Sequence, residues 1–277
     1  SLAITIISIV VIGDMWTVGK RFLNYDDFTK AKSFEKSIIP SAADKQILND
    51  KEVNYRVFNA AVNSFNELTP SYFHKSIGGY SSVKLSRYQD LIEHHLSKGN
   101  MNVFNMLNAK YFITGKPGQE VAQQNPGANG PVWFTENIDW AKDADEEMAK
   151  LKNFNPKSTV IIDNRFKAYV GDLKPSSNPQ NDVQLSSFHP DNMEYTSNSA
   201  TENFAVFSEV WYKGNEDWKA YIDGVETEFI RVNYLLRGMK IPVGQHKIEF
   251  NFYPKAHYIG TKISLASSVL IILMLLV

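Results

Sequence analysis

The chain opens and closes on uncharged apolar runs, and the pattern between them is that of a folded protein. The first run is LAITIISIVVIG, residues 2–13, and the last is ISLASSVLIILMLLV, Ile263–Val277. A membrane-spanning helix takes about 20 apolar residues, so each run alone is short for a span. The first run also lacks the preceding basic residues and the following cleavage site of a signal peptide. We interpret residues 1–15 as the end of one truncated transmembrane helix and 256–277 as the start of another, with a buried core element as the alternative.

The region from residue 16 to residue 180 alternates between strand and helix patterns, which predicts a mixed α/β domain. NYRVFN (Asn54–Asn59) and KYFIT (Lys110–Thr114) are typical of short strands. An amphipathic helix is predicted over Ser81–Leu96, with Ser81 or Ser82 as its cap. The turn-rich stretch Gly115–Pro131 predicts an exposed loop or a hairpin tip.

A β-α-β unit is predicted next. It consists of VWFTENIDWA (132–141), DADEEMAKLKN (143–153) and STVIID (158–163). The acidic residues at the start of the helix suit its positive end and are expected to be solvated. Lys174–Asp182, KPSSNPQND, carries two prolines and little apolar matter, so we place a domain boundary there.

Residues 181–255 show alternating strands and predict an antiparallel β-sandwich. Asp223-Gly224 separates two strand patterns and favours a type I′ hairpin turn, because both central residues of that turn need positive φ. Ile248, Phe250 and Phe252 alternate with polar residues, as in a strand with one buried face. The predicted fold class is therefore α+β, a mixed α/β region followed by the sandwich and flanked by transmembrane helix ends.

The composition of the chain excludes several classes of function. The 277-residue chain is 43% hydrophobic and 21% charged, has a net charge of −1 and contains no cysteine. Such a balance gives no clustered basic face, so a nucleic-acid partner is not expected. The absence of cysteine excludes disulfides, thiol nucleophiles and cysteine-based metal sites. No nucleotide-binding or hydrolase signature occurs, and we assign no catalytic residue and no metal ligand.

The first group of candidate binding residues surrounds paired glycines before the predicted helix. Glycines let a backbone approach a ligand closely, and a helix start with basic neighbours suits an anion such as phosphate. A simple turn with a capped helix is the alternative. The group comprises His74, Gly78, Gly79, Tyr80, Lys84, Arg87 and Tyr88.

The second group of candidates is aromatic. Trp211, Trp218 and Tyr221 lie in WYKGNEDWKAYIDG, and their flat apolar faces could stack on sugar rings. Packing in the core of the sandwich is the alternative for these side chains.

Several segments resemble a known family. They are SYFHKSIGGYSSVKLSRYQDLI, NVFNMLNAKYFI, DWAKDADEEMAKLKNF and FSEVWYKGNEDWKAYIDGVETEFIRVNYLLRGMKIPVGQHKIEFNFYP. Together they are similar to the large extracytoplasmic region of the YfhO family of bacterial membrane proteins. The order W-K-A-Y-I-D-G, R-x-N-Y, R-G, P-V-G-x-H carries most of this resemblance.

The resemblance implies a polytopic protein related to C-type membrane glycosyltransferases, which take sugar from a polyprenyl-phosphate carrier. Their catalytic acid lies in an early membrane-proximal loop, and no such loop is present here. We therefore expect an accessory domain without catalysis or cofactor of its own, which positions an acceptor glycan or a polyprenyl-phosphate-sugar donor. The expected location is the cell membrane, with the domain on the extracytoplasmic face. The alternative is a non-catalytic structural or protein-interaction module of a cell-envelope membrane protein.

Overall fold

The computed structural model describes residues 2–31, 33, 38–176 and 178–275 and divides into two compact units, Ser1–Ser41 and Ala42–Val277. In the first unit, helix α1 (Leu2–Phe22) is apolar over most of its length and buries none of its residues. A 3₁₀ turn (Tyr25–Asp27) follows, and the Asn24 side chain accepts a hydrogen bond from the Asp26 amide at its start.

The second unit begins with helix α2 (Ala42–Leu48) and a three-stranded sheet. The sheet has the order β1-β2-β3, with β1 and β2 parallel and β2 and β3 antiparallel. These strands are β1 (Arg56–Asn59), β2 (Ala109–Thr114) and β3 (Val121–Gln124). The loop or hairpin tip predicted over Gly115–Pro131 is confirmed for residues 115–120, which form the turn between β2 and β3, whereas residues 121–124 of that stretch form β3 itself.

Short helices connect β1 to β2. They are α3 (Thr69–Phe73), α4 (Ser86–His94), a 3₁₀ turn (Leu96–Lys98) and α5 (Met101–Met106). The predicted helix over Ser81–Leu96 is therefore wrong at its beginning. Leu85 still has extended backbone with φ −60° and ψ 131°, and no side chain caps the first turn. The Ser81 hydroxyl instead accepts the amide of Val83 at 3.3 Å. A local turn of this kind competes with helix formation.

The predicted β-α-β unit is confirmed, although its first strand is divided. Strand β4 (Val132–Phe134) and strand β5 (Asn137–Ala141) belong to different sheets. Helix α6 (Ala144–Lys150) then leads to β6 (Thr159–Asp163), which pairs with β5 in parallel. After a 3₁₀ turn (Asn164–Phe166), helix α7 (Lys167–Val170) ends the passage.

The sandwich consists of a five-stranded and a four-stranded antiparallel sheet. The five-stranded sheet has the order β11-β10-β14-β8-β7, and the four-stranded sheet has the order β12-β13-β9-β4. Their remaining strands are β7 (Asp182–His189), β8 (Asn192–Ser199), β9 (Asn203–Val210), β10 (Trp218–Ile222), β11 (Val225–Thr227), β12 (Ile230–Val232), β13 (Leu236–Ile241) and β14 (Gly244–Phe252). The predicted hairpin at Asp223-Gly224 is confirmed, because both residues have positive φ and β10 pairs with β11 across them.

The four-stranded sheet is covered on both faces, so the second unit has three layers. Ala205 and Phe207 of β9 pack towards the five-stranded sheet. Phe204 and Val206 pack towards the mixed α/β region. Strand β4, from that region, also pairs with β9. The domain boundary predicted near residue 180 stays a prediction. The core of the mixed α/β region and the core of the sandwich both include residues of the four-stranded sheet.

Helix α8 (Lys255–Leu275) follows β14 after two residues and buries none of its residues. Helices α1 and α8 are both long and apolar enough to cross a membrane. Together with the sheets they confirm the predicted α+β class with apolar helices at both ends.

We predict that Ile248→Ala lowers the free energy of unfolding by about 2–5 kcal/mol, because a large buried side chain leaves a cavity between the sheets. Ile248 is 0% exposed. The matched control Val225→Ala removes a side chain that is 69% exposed. This control should change stability by no more than about 0.5 kcal/mol. Denaturant unfolding in detergent, followed by tryptophan fluorescence, measures both. Equal effects would contradict the assignment of Ile248 to the sandwich core.

Candidate functional site

The glycine pair belongs to a loop that runs beside β1. The amide of Val57 donates to the Lys75 carbonyl at 2.9 Å, and the amide of Ile77 donates to the Val57 carbonyl at 3.0 Å. A Cβ on Gly78 would lie 1.8 Å from the Ser64 carbonyl oxygen. The Gly79 amide donates to that same oxygen at 2.7 Å, and Gly79 has φ +109°. The close approach of the Ser64 backbone thus requires glycine at position 78, and the positive φ favours glycine at position 79.

Tyr88 fixes the start of α4 against this loop. Its hydroxyl donates to the Ile77 carbonyl at 2.6 Å. Burial raises the pKa of Tyr88 to about 12, so the phenol stays neutral at physiological pH. Lys84 lies two residues before the helix and donates to the Gln89 side chain at 3.3 Å. An ammonium group has three N–H donors, so Lys84 retains donors for a ligand.

A cleft of about 300 Å³ lies between this loop, α3, α4 and β1. It brings together five of the seven residues predicted around the glycine pair, and its described lining contains two cationic side chains and no acidic one. Three serines and two tyrosines are also among the lining residues. The lining residues are Arg56, Ser71, Ser76, Ile77, Gly78, Gly79, Tyr80, Ser81, Lys84, Tyr88, Ile92 and Val210.

Arg56 connects the cleft to a buried ion pair. Its guanidinium donates to the carbonyls of Leu107 and Ser208 at 2.9 and 2.8 Å. It also lies 3.3 Å from the Glu209 carboxylate, and the two side chains are only 14% and 13% exposed. Asn54 donates to the other Glu209 oxygen at 2.8 Å. Although burial opposes ionisation, the charge of Arg56 and the bond from Asn54 hold the pKa of Glu209 below its ordinary value.

More positive charge surrounds Glu209 than one carboxylate neutralises. Arg237 and Lys75 act electrostatically on Glu209 together with Arg56. Arg237 is 3% exposed and donates through Nε to the Val210 carbonyl at 3.2 Å. Partial burial lowers the pKa of Lys75 to about 8, while Glu209 opposes that shift. Of these three basic residues only Arg56 lines the cleft, and the other two lie behind it. Three basic side chains around one carboxylate leave positive charge on this side of the cleft, which suits an anionic ligand.

Two predicted residues lie outside the cleft. His74 pairs with Asp44, with 2.8 Å between Nε2 and Oδ1, and its side chain is 3% exposed. Arg87 donates to the Tyr234 carbonyl at 3.2 Å and covers the Tyr234 ring at 4.3 Å. Its guanidinium also lies 3.9 Å from Glu147. Both side chains are engaged by protein partners, so the prediction that they meet the ligand is not supported.

The expectation that the acidic residues at the start of α6 are solvated is wrong for Glu147. It is 0% exposed and accepts the Tyr234 amide at 2.7 Å. Burial raises the pKa of this carboxyl group. Tyr234 follows Glu147 by 87 positions, so the local pattern of acidic residues carries no sign of this contact.

The aromatic group does not form one surface. Trp218 is 7% exposed, with the Arg237 guanidinium 4.1 Å from its ring centroid and Phe252 at 5.0 Å. Trp211 packs on Phe229 at 4.9 Å, and its ring fills the position that a Cβ on Gly214 would need. The structure supports core packing for both tryptophans, which corrects their prediction as sugar platforms.

Tyr221 lies elsewhere on the sandwich. It alternates with the buried residues Ala220 and Ile222 of β10, so it faces away from the core. Its strand neighbours on that outer face are Glu226 and Glu249. Tyr221 therefore shares no site with Trp211 or Trp218.

Sequence reasoning missed Arg56, the second cation of the cleft. The signal available was a basic residue at the start of a predicted strand. Its partner Glu209 follows 153 positions later, so nothing in the local sequence connects the two.

The remaining cavities and clusters are less informative. In the described part of the chain, no group of three or more acidic or histidine side chains is placed to hold a metal ion. A wider, mainly apolar cavity of about 1150 Å³ lies along α1, where Val11, Met15 and Trp16 meet residues 23–28. Its walls belong to a candidate membrane span, where lipid would contact them.

Comparison of the chain with protein-family models, with curated proteins and with solved structures finds no match.

We predict that Gly78→Ala destabilises the second unit by about 3 kcal/mol or more, because the new Cβ overlaps backbone that cannot rotate away. The control Gly118→Ala introduces a methyl group with no heavy atom within 4 Å. It should cost about 1 kcal/mol, the penalty for its positive φ. Thermal unfolding of both variants checks this, and equal losses would show that the loop is free to move away from Ser64.

We predict that Glu209→Gln costs about 3 kcal/mol at neutral pH, because it leaves buried cations without their carboxylate. Because the pKa of Glu209 is lowered in the folded state, its ionised carboxylate stabilises the fold at pH values above the ordinary pKa of 4.5. This contribution is lost as the pH falls through the folded-state pKa. The variant should therefore lose less stability than the wild type on acidification, as measured by denaturant midpoints between neutral and acidic pH.

The matched control for that experiment is Glu226→Gln, since Glu226 pairs with Lys219 at 2.6 Å but is 56% exposed. Its variant should follow the wild type at every pH, because exposed pairs contribute little. If the Glu209→Gln variant lost as much stability on acidification as the wild type, this result would contradict the buried ion pair.

Proposed function

We propose that this chain is a membrane-attached domain that binds the phosphate of a lipid-linked sugar in the cleft at Gly78-Gly79. In this role it positions a polyprenyl-phosphate-sugar donor for a glycosyltransferase-like parent protein. The domain itself does not catalyse the transfer. The extracytoplasmic face of the cell membrane is the proposed location.

The observation that carries the proposal is the charge of the cleft. Arg56 and Lys84 line it, and no acidic side chain does so among the described residues. The lining also includes three serines and Tyr80, whose hydroxyl groups are candidate donors to a ligand. Phosphate oxygens accept several hydrogen bonds at once, and cationic donors make the stronger ones. Glu209 neutralises only part of the charge behind Arg56.

The two apolar terminal helices support a lipid-linked rather than a freely diffusing ligand. Both have the length and hydropathy of a membrane span, so a chain with these helices would work beside the carriers that a bilayer holds. The resemblance of residues 71–92 and 207–254 to the YfhO family points in the same direction. We propose on that basis that polyprenyl phosphate is the carrier.

The donor is a better fit than an acceptor glycan. Neutral glycans are recognised mainly by stacking on exposed aromatic rings, and Trp211 and Trp218 are occupied within the sandwich. Tyr80, which is 58% exposed, lines the cleft and is available to a sugar next to the phosphate. A structural or protein-interaction module remains the competing function, and the experiment below separates the two.

We predict that the full chain in detergent binds geranyl phosphate saturably and does not bind geraniol, as measured by calorimetry. Lys84→Gln should weaken binding by about tenfold or more, because a hydrogen bond from a charged donor contributes about 1.5–3 kcal/mol. Its unfolding should match the wild type, since the hydrogen bond that Lys84 donates goes to the nearby Gln89 side chain.

The control is Lys116→Gln, which removes an equal charge from the exposed turn between β2 and β3. Its affinity should equal that of the wild type. Binding that is absent in the wild type, or weakened equally by both substitutions, would reject the phosphate site and favour the structural module.

A further inference from the structure

The mouth of the cleft carries exposed apolar side chains. Tyr80 lines the cleft and is 58% exposed, and Val83, between the lining residues Ser81 and Lys84, is 87% exposed. Near the lining residue Ser71, Leu68 directly precedes helix α3 and Tyr72 lies on it, and their exposed fractions are 59% and 57%. We call Leu68, Tyr72, Tyr80 and Val83 the apolar rim. Apolar groups grouped around a polar cleft mark a contact surface.

The cleft that the apolar rim borders lies at the end of the sandwich from which α8 departs, as two sets of contacts show. In the first, Lys75, which directly precedes the cleft residue Ser76, has its Nζ 3.2 Å from the ring centroid of Phe188. Phe188 pairs with Met193, and Met193 pairs with Phe250 near the end of β14. Helix α8 begins at Lys255.

The second set runs through the other sheet. Val210 lines the cleft at the end of β9, and its carbonyl accepts the Arg237 Nε–H at 3.2 Å. The Arg237 guanidinium covers Trp218, and Trp218 pairs with Phe252, the last residue of β14. Both routes lead from the cleft to the end of β14, which precedes α8 by two residues.

The residues at that junction are of the type found where water meets lipid. Tyr253 stacks on Tyr258 with ring centroids 4.4 Å apart, and Lys255 and Lys262 lie on the first two turns of α8. Aromatic and basic side chains of this kind mark the headgroup level of a membrane helix. The bilayer surface is therefore placed at the same end of the domain as the cleft.

We propose that the apolar rim rests in the bilayer interface, so that the cleft receives a phosphate while the lipid chain attached to it stays in the membrane. The occupant of this surface is the lipid bilayer itself. Interfacial apolar groups sink about 5–10 Å into the headgroup region, which is deep enough to meet a lipid phosphate. The inference rests on the proposed function for the identity of the ligand, whereas the position of the rim can be tested without any ligand.

The chain has no cysteine, so one introduced thiol is labelled specifically. Val83→Cys and Val225→Cys are each modified with the environment-sensitive fluorophore NBD, and the full chain is reconstituted into phosphatidylcholine vesicles with or without spin-labelled lipid. Val225 is the matched control because it is also exposed, at 69%, and pairs with Ile222 at the opposite end of β10 from Trp218.

The expected result is a blue-shifted emission and a loss of fluorescence with spin-labelled lipid at position 83, and neither effect at position 225. Equal quenching at both positions, whether strong or absent, would overturn the proposal. Because substitution of exposed residues leaves stability nearly unchanged, tryptophan-monitored unfolding verifies that both variants keep the fold.

Failure here and failure of the proposed function are distinguishable. Geranyl phosphate binding in detergent reports on the cleft alone, and quenching in neutral vesicles reports on the rim alone. A rim that is quenched while geranyl phosphate does not bind would keep the membrane contact and reject the phosphate site.

Discussion

The arrangement of the second unit depends on the ion pair between Arg56 and Glu209. Arg56 starts a strand of the mixed α/β region, and Glu209 lies near the end of β9 in the sandwich. The same guanidinium donates to carbonyls on both sides, Leu107 and Ser208. Charges this poorly solvated are stable only with well-placed partners. The pair therefore fixes β1 against β9, and with β1 it fixes the loop at Gly78 and the cleft beside it.

Surplus positive charge is the second consequence of this arrangement. A core that needed only cohesion could replace an ion pair by apolar side chains at little cost. Here one carboxylate instead serves Arg56, Arg237 and, more remotely, Lys75. Arg237 Nη1 has no hydrogen-bond acceptor among the described residues. Retaining unneutralised cations behind a cleft is costly for folding and useful for binding an anion, and this is the physical basis of the proposal that the cleft binds an anionic ligand.

The middle sheet relates the cleft to the membrane. Strand β9 ends at Val210, which lines the cleft. The Val210 carbonyl accepts a hydrogen bond from Arg237, and the Arg237 guanidinium covers Trp218 beside the end of β14. Helix α8 starts at that end. A ligand bound in the cleft would thus lie at the end of the domain from which this candidate membrane span departs.

The sequence by itself determined the features that depend on local pattern. Periodicity predicted the β-α-β unit, the alternation Ile248 and Phe250 predicted the buried face of β14, and Asp223-Gly224 predicted its hairpin through its tolerance of positive φ. It also singled out Gly78, Gly79, Tyr80, Lys84 and Tyr88, because glycine and basic residues near a helix start form a short-range signal. Tertiary structure alone decided that Arg56 joins these residues. It also decided that Arg87 contacts Glu147 and that His74 pairs with Asp44. The burial of Trp218 under Arg237 is likewise a tertiary contact. The ion pairs among these contacts join residues 30 to 153 positions apart, so they depend on how the layers pack, which local pattern does not encode.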